Sequence, residues 1–458
     1  MSALIIIALY FLVMLAIGIA SRRKARGADD FFVAGRKSSS PFIVGSLLAT
    51  IIGGSATIGM AGLGFQRGLT GAWWLLVGSI GLIFLGLFFA RKVRRLALYT
   101  LPELVEKQYD RRMALATAIL IVVAWIGIVA AQIIAAGKIL GILGVGSPAI
   151  WMVVFTVIFV AYTLLGGQHA IIRTDVLQSV IIFLGVFAGL ALLLTRLGGW
   201  EGLQSSLPAE HFAFPVSPQF DGAALITLLL LVGLTYVVGP DMYSRIFCAR
   251  DDRVASRATL WTAVLVIPLA FAITIIGMGA ASLFPGITPE QAFPTVISEL
   301  FSPLLGGIIL AALLCAVMSS ADTTLLSAST ILSIDIIGRF RPTANQSGVL
   351  PRSKWAIVLL GICALIVALM LKGVISALLF AYTIYTAGVI LPVLAGFFKN
   401  RLKVTPTGAL AALIGGGSAG LISKLLAIKY LDLGALLISG ALLFLVSYID
   451  RRYRSTGR

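Results

Sequence analysis

Thirteen apolar runs, most as long as the roughly 20 residues a helix needs to cross a hydrocarbon core, decide what this chain can become. They cover residues 3–20, 42–66, 70–90, 113–143, 149–165, 170–195, 222–248, 255–284, 305–337, 354–371, 374–398, 405–428 and 431–449. Lipid offers no partner to a free backbone N–H or C=O, so only helices and closed barrels span it. These runs lack the alternation of barrel strands. The expected fold is therefore all-α and integral to the membrane. A chain of 458 residues with 59% hydrophobic and 12% charged content is no soluble domain.

The formal charge of +17 invites a nucleic-acid reading, but the placement of the charge points elsewhere. When the first helix is taken to run inward, 29 of the 35 Lys and Arg residues fall in alternate, inner segments. Those segments are 21–41, 91–112, Arg173, 245–257, 339–354, 399–403 and 451–458; Arg67, Lys138, Arg196, Lys372, Lys424 and Lys429 are left over. The positive-inside bias then puts the amino terminus outside and the carboxyl terminus in the cytoplasm of a multi-pass cell-membrane protein. No nucleic-acid partner is expected; the partners are the lipid bilayer and a small-molecule solute. Lys138 and Lys424 are expected to snorkel or to pair, and Trp73 and Trp74 to sit in the interfacial belt.

The first run lacks a basic stretch before it, and Arg22, Arg23, Lys24 and Arg26 follow it, which favours a retained helix over a signal peptide. Cys248, Cys315 and Cys363 lie in or beside helices and give no disulfide framework. His169 and His211 lie near loops, a poor basis for a histidine metal site.

Two helices carry breaks. Gly53-Gly54 interrupts the second run and is followed by Ser55 and Thr57; Gly239-Pro240 interrupts the seventh and is followed by Asp241. Glycine frees the backbone, and proline removes a donor and clashes with the preceding turn, so both helices are expected to unwind there. Each break alone also fits close packing or a kink. Two breaks five helices apart fit an inverted repeat of five plus five helices, with 42–195 answering 222–398. Residues 1–41 would be an accessory helix and inner loop, 196–221 an outer loop, and 399–458 two accessory helices with an inner tail. The run Gly415–Gly420 spells GxGxxG, but with no preceding strand it reads as close helix packing.

The most unusual helix holds residues 311–330, AALLCAVMSSADTTLLSAST. Ala316, Ser319, Ser320 and Thr323 fall at i, i+3, i+4 and i+7 and share one face, with Asp322 just off it. Polar groups at bilayer depth are costly unless they face protein, water or an ion. Small residues and hydroxyl oxygens suit a weakly held hard cation such as sodium. The alternative is that the serines bond back to their own helix.

Several segments resemble the sodium:solute symporter family. ADDFFVAGRK (28–37), TLPELVEKQYDRR (100–112), YTLLGGQHAIIRTDVLQ (162–178) and MSSADTTLLSAST (318–330) are similar to its motifs, the last most like the choline-like branch. Gln168 and Arg173 depart from the common pattern. The resemblance implies a LeuT-type 5+5 inverted repeat with about thirteen transmembrane helices. It also implies a first Na+ held by Ala49 and Ile52 carbonyls, the Ala316 carbonyl, and the Ser319 and Ser320 hydroxyls. In relatives with a second sodium, positions matching Asp175, Asp322 and Thr323 supply ligands, so these residues are expected to serve a second Na+ or a proton. For Asp175 a helix cap or a pairing with Arg173 remains open.

Family placement puts Ile52, Ser55, Thr57, Trp125, Gln132, Tyr382, Tyr385 and Thr386 around the solute. Asp241 has two readings, a cap on the half-helix or an acceptor for a substrate amine, and Arg245 four residues on is a candidate partner for it. Choline-type members use an aromatic cage, and two cage positions here are Ile51 and Gly239, with Trp125 retained. No basic residue is expected at the midplane. The function that follows is secondary active transport: Na+-coupled symport of a small organic solute by alternating access, with Na+ as coupling ion. The alternative is an uncoupled or proton-coupled transporter or channel of the same fold. HExxH is missing, so an enzyme is not expected.

Overall fold

The computed structural model describes residues 2–21, 27–340, 348–371, 373–426 and 431–456. Of the basic residues used above, Arg22, Arg23, Lys24, Arg26, Arg341, Lys372, Lys429 and Arg458 lie outside them. Helices make up the architecture; among the described residues the only extended pairings are the single bridges Ser38–Ala249 and Ser217–Phe220.

Eleven helices among the described residues are long and apolar enough to cross a membrane, against thirteen runs in the sequence. The difference lies in how turns and breaks divide the chain. The stretch Ser55–Arg95 is 41 residues long and the helix Pro148–Leu197 is 50, each more than one crossing requires. The first turns at Gly68, which has φ +65°. The second breaks at Gly167, with φ 51° and ψ −151°, where a Cβ would stand 2.8 Å from the Phe31 carbonyl oxygen. The helix Ser40–Ile51 is too short to span alone and continues after a break into Ser55–Arg67.

The serine helix Pro303–Ile331 is the hub of the fold. The most apolar window of its span is 83% buried, against 33% for the first helix and 28% for the last. It packs on Ser2–Ser21, Ser40–Ile51, Arg111–Gly141 and Pro148–Leu197. That position explains why its hydroxyls are tolerated, since they meet protein instead of lipid. The first helix is stitched in through Tyr10, whose hydroxyl lies 3.2 Å from the Met318 sulfur and accepts from Gln178 Nε2 at 3.0 Å. Pro406–Leu426 and Leu431–Thr456 pack on each other at the periphery, with Gly416 close against Ser439 and the Ala387 carbonyl.

Local chemistry accounts for one family-like segment directly. In TLPE, the Thr100 hydroxyl accepts from Glu103 N at 3.2 Å and the Glu103 carboxylate accepts from Tyr99 N at 2.8 Å. Reciprocal capping of this kind satisfies donors at the start of the short helix Leu101–Gln108. Lys424 pairs with Asp432 at 2.7 Å and Lys138 forms a close ion pair with Glu290. Trp74 is buried, and Trp73 donates to the Pro215 carbonyl at 2.8 Å while stacking on Phe214.

Candidate functional site

Both expected breaks are present. The first broken helix leaves α geometry at Ile52 (φ −87°, ψ 76°) and resumes in a π-helical turn, Ser55–Gly59. Gln132 Oε1, from the helix Arg111–Gly141, accepts from Gly54 N at 2.7 Å and so satisfies a donor that the unwinding frees. Thr57 closes the turn by donating to the Gly53 carbonyl at 2.9 Å. Gly53 admits no side chain: a Cβ would lie 2.5 Å from Ser320 Oγ and 2.8 Å from Gln132 Oε1. The second broken helix opens at Val238 and Gly239 and restarts with Pro240 in the first turn of Pro240–Cys248. Proline suits that position because its missing N–H would have no helical partner there.

Across the first break stands the serine face. Ser319 Oγ donates to the Ala49 carbonyl at 2.7 Å and to the Ala316 carbonyl at 3.1 Å. Ser320 Oγ donates to the Thr50 carbonyl at 2.7 Å. Ala49, Ala316 and Ser319 thus bring three oxygens together in a buried pocket of protein. Oxygen ligands of this kind, with no full negative charge, fit a small hard cation. Both serines face the unwound segment, so their bonds are made across helices as well as within their own. Ile52 is buried at the break and Thr50 supplies the carbonyl that Ser320 touches.

Between the two breaks lies a small cavity. Of the expected solute residues, Ser55, Trp125, Gln132, Asp241 and Tyr382 line it. Ile52, Thr57, Tyr385 and Thr386 stand behind it. Tyr385 donates a short hydrogen bond to the Val238 carbonyl and Thr386 Oγ1 donates to the Leu231 carbonyl at 2.8 Å, so both brace the second broken helix. Thr50, Ile51, Thr235, Tyr236, Gly239, Met242 and Thr324 also line the cavity. Trp125 donates to Asp241 Oδ1 at 2.7 Å and meets Tyr385 edge-on with ring centroids 4.8 Å apart. The N-cap position of the restarted helix is Gly239, and Asp241 sits in its first turn. Asp241 is the single charged side chain among the described lining residues.

Arg245 is the residue the sequence did not place. It pairs with Asp175, not Asp241. Its side chain is wholly buried, with Nη2 3.2 Å from Asp175 Oδ2 and Nε donating to Ser46 Oγ at 2.9 Å. Nη2 also contacts Thr323 Oγ1 closely, and Ser46 hydrogen-bonds Asp175. Asp175 neither caps a helix end nor pairs with Arg173, which is exposed. The i,i+4 spacing would allow Arg245 to meet Asp241, but the guanidinium is taken up by Asp175, Ser46 and Thr323 on neighbouring helices. Asp322 Oδ1 accepts weakly from Thr323 Oγ1 at 3.3 Å, while Asp322 Oδ2, Asp175 Oδ1 and Gln178 Oε1 are buried with no hydrogen-bond partner among the described residues.

The sodium:solute symporter family model matches residues 31–416. The chain belongs to the sodium:solute symporter family. Family members couple the movement of a solute to sodium, so this chain is a Na+-coupled symporter and not an enzyme. A sodium/glucose cotransporter of Vibrio parahaemolyticus is 24% identical over 451 residues, spanning 90% of this chain and 82% of that one. The sodium/pantothenate symporter of Escherichia coli (strain K12) is 25% identical over 467 residues, spanning 97% of this chain and 95% of the relative. A substrate-bound, outward-open structure of a Na+-coupled sialic acid symporter matches with a TM-score of 0.83 over 98% of both chains, at 18% identity. At that identity the likeness establishes the LeuT-type fold. These relatives do not single out the choline-like branch that the serine-helix motif suggested.

Proposed function

We propose that this symporter binds its coupling Na+ at Ala49, Ile52, Ala316, Ser319 and Ser320, and its solute in the cavity between the two breaks. The supporting observation is the 2.7 Å contact of Ser319 Oγ with the Ala49 carbonyl across the unwound segment. A Na+ there would take lone pairs from the Ala49 carbonyl and the Ser319 hydroxyl, whose proton would turn to another acceptor, and would bridge two helices that otherwise meet through a hydrogen bond. Binding that favours one arrangement of those helices shifts the population toward it, which is the basis for ordered loading and alternating access. Each charge carried inward gains about 2.3 kcal/mol per 100 mV of membrane potential.

The solute is a small organic molecule that offers a hydrogen-bond donor or a positive group to Asp241, with Trp125 and Tyr382 as its apolar walls. Asp322, whose Oδ2 is unpartnered, joins Asp175 and Thr323 as the place for a second Na+ or a proton, with Arg245 already neutralising one of the two carboxylates. Residues 42–195 and 222–398 form the inverted repeats, and the protein lies in the cell membrane with its amino terminus outside and its carboxyl terminus in the cytoplasm.

A thermal-shift screen of amino acids, organic acids, sugars and quaternary amines, with and without Na+, identifies the solute class. Uptake of the hit into vesicles then tests coupling. Uphill accumulation only under an inward Na+ gradient is expected; accumulation that ignores Na+ sinks the proposed site.

A further inference from the structure

A larger concavity lies outside the solute cavity. It is an open groove lined only by apolar residues and glycine, Phe84, Phe89, Leu234, Leu394 and Phe444 among them. At its end Phe398 is shared with a second pocket whose lining includes Lys92, Lys107, Lys399 and Arg401. No acidic residue lines that pocket, and none of the four cations forms a salt bridge among the described residues. Lys92 lies 5.5 Å from the centre of the Phe398 ring, and Lys399 donates to the Gln108 carbonyl at 2.9 Å. Gln108 lines the same pocket, is only 9% exposed, and has neither amide atom hydrogen-bonded among the described residues. A buried amide left with both functions open is rare unless a ligand or water completes it.

We propose that groove and pocket together hold one anionic phospholipid, with an acyl chain along the groove and the phosphate among the four cations and Gln108. Charge complementarity selects the occupant. An apolar chain alone would satisfy the groove but leave the four cations that line the pocket without an anion, whereas a phosphate diester brings the missing negative charge and acceptor oxygens. Basic pockets between membrane helices on the cytoplasmic side are suited to such headgroups. The groove is bordered by Leu229–Val237 of the second broken helix and by Leu391–Gly396. A lipid there would contact an element that borders the solute cavity without entering the cavity itself.

The test is native mass spectrometry of the purified symporter, paired with thermal unfolding, in phosphatidylglycerol and in phosphatidylcholine of the same acyl chains. Phosphatidylglycerol is expected to be retained and to stabilise the protein, with at least about tenfold preference. Combined Lys92→Gln, Lys107→Gln, Lys399→Gln and Arg401→Gln substitution should abolish that preference. Gln108→Leu, a milder change if the combined variant does not fold, should weaken retention. Gly440→Leu should also weaken retention, by filling the groove; an ideal Cβ there is 3.5 Å from Leu391, so its first carbon fits. Glycerol 3-phosphate, which carries the phosphate without chains, should give no thermal shift. Equal retention of both lipids, undiminished retention in the variants, an equal shift with glycerol 3-phosphate, or a lipid-free dimer closed over the groove would each overturn the proposal.

Discussion

Arg245 crosses from the second broken helix to set its guanidinium 3.2 Å from the Asp175 carboxylate, with both side chains entirely out of solvent. Removing one partner of such a pair strands the other charge, at a cost of about 3–5 kcal/mol. Arg245→Gln and Asp175→Asn should therefore each lower the thermal midpoint strongly. The double variant should recover part of the loss, because neither charge is then left alone. Thermal unfolding of the three purified variants checks this; strictly additive losses would show that the pair is not coupled.

The serine hydroxyls face the carbonyls of the unwound segment. Ser319→Ala or Ser320→Ala removes an oxygen from the proposed ion cradle, so the Na+ concentration for half-maximal uptake should rise by roughly tenfold. A sodium titration of uptake measures it. Unchanged sodium dependence in both variants would mean that the ion binds elsewhere.

Gly53 is the close approach that lets the break sit against Ser320 and Gln132. Gly53→Ala places a carbon within 2.5 Å of Ser320 Oγ and 2.8 Å of Gln132 Oε1. Something must shift, and the shift falls on both the ion cradle and the cap of Gly54. The variant should insert in the membrane yet transport little, which surface labelling and uptake together report. Full uptake would show that the break is looser than its geometry implies.

Asp241→Asn keeps an acceptor for the Trp125 indole but removes the cavity's charge. The solute concentration for half-maximal uptake should rise while the sodium dependence stays near that of the parent. If the solute response is untouched, Asp241 does not face the solute.

Asp322→Ser leaves Asp175 as the carboxylate nearest Arg245 and Thr323. Ion-to-solute flux ratios, or their dependence on pH, should change if Asp322 carries a second ion or a proton. Identical ratios at every pH would make it structural.

Sequence alone determined what depends on local backbone chemistry and on solvent. The apolar runs dictated a helical membrane protein because lipid leaves no other way to satisfy the backbone, and Gly53-Gly54 and Gly239-Pro240 marked the breaks because those residues weaken or forbid the helical bond there. The serine face was legible from helical spacing. Tertiary structure decided the rest. Nothing in the spacing of Arg245 and Asp175, 70 positions apart, says that they meet. Gln132 turns out to cap a helix to which it is not bonded in sequence, and Tyr385 and Thr386 brace the second break from outside the cavity. Long side chains reach partners on whichever helix packing brings near, and packing is a property of the whole bundle.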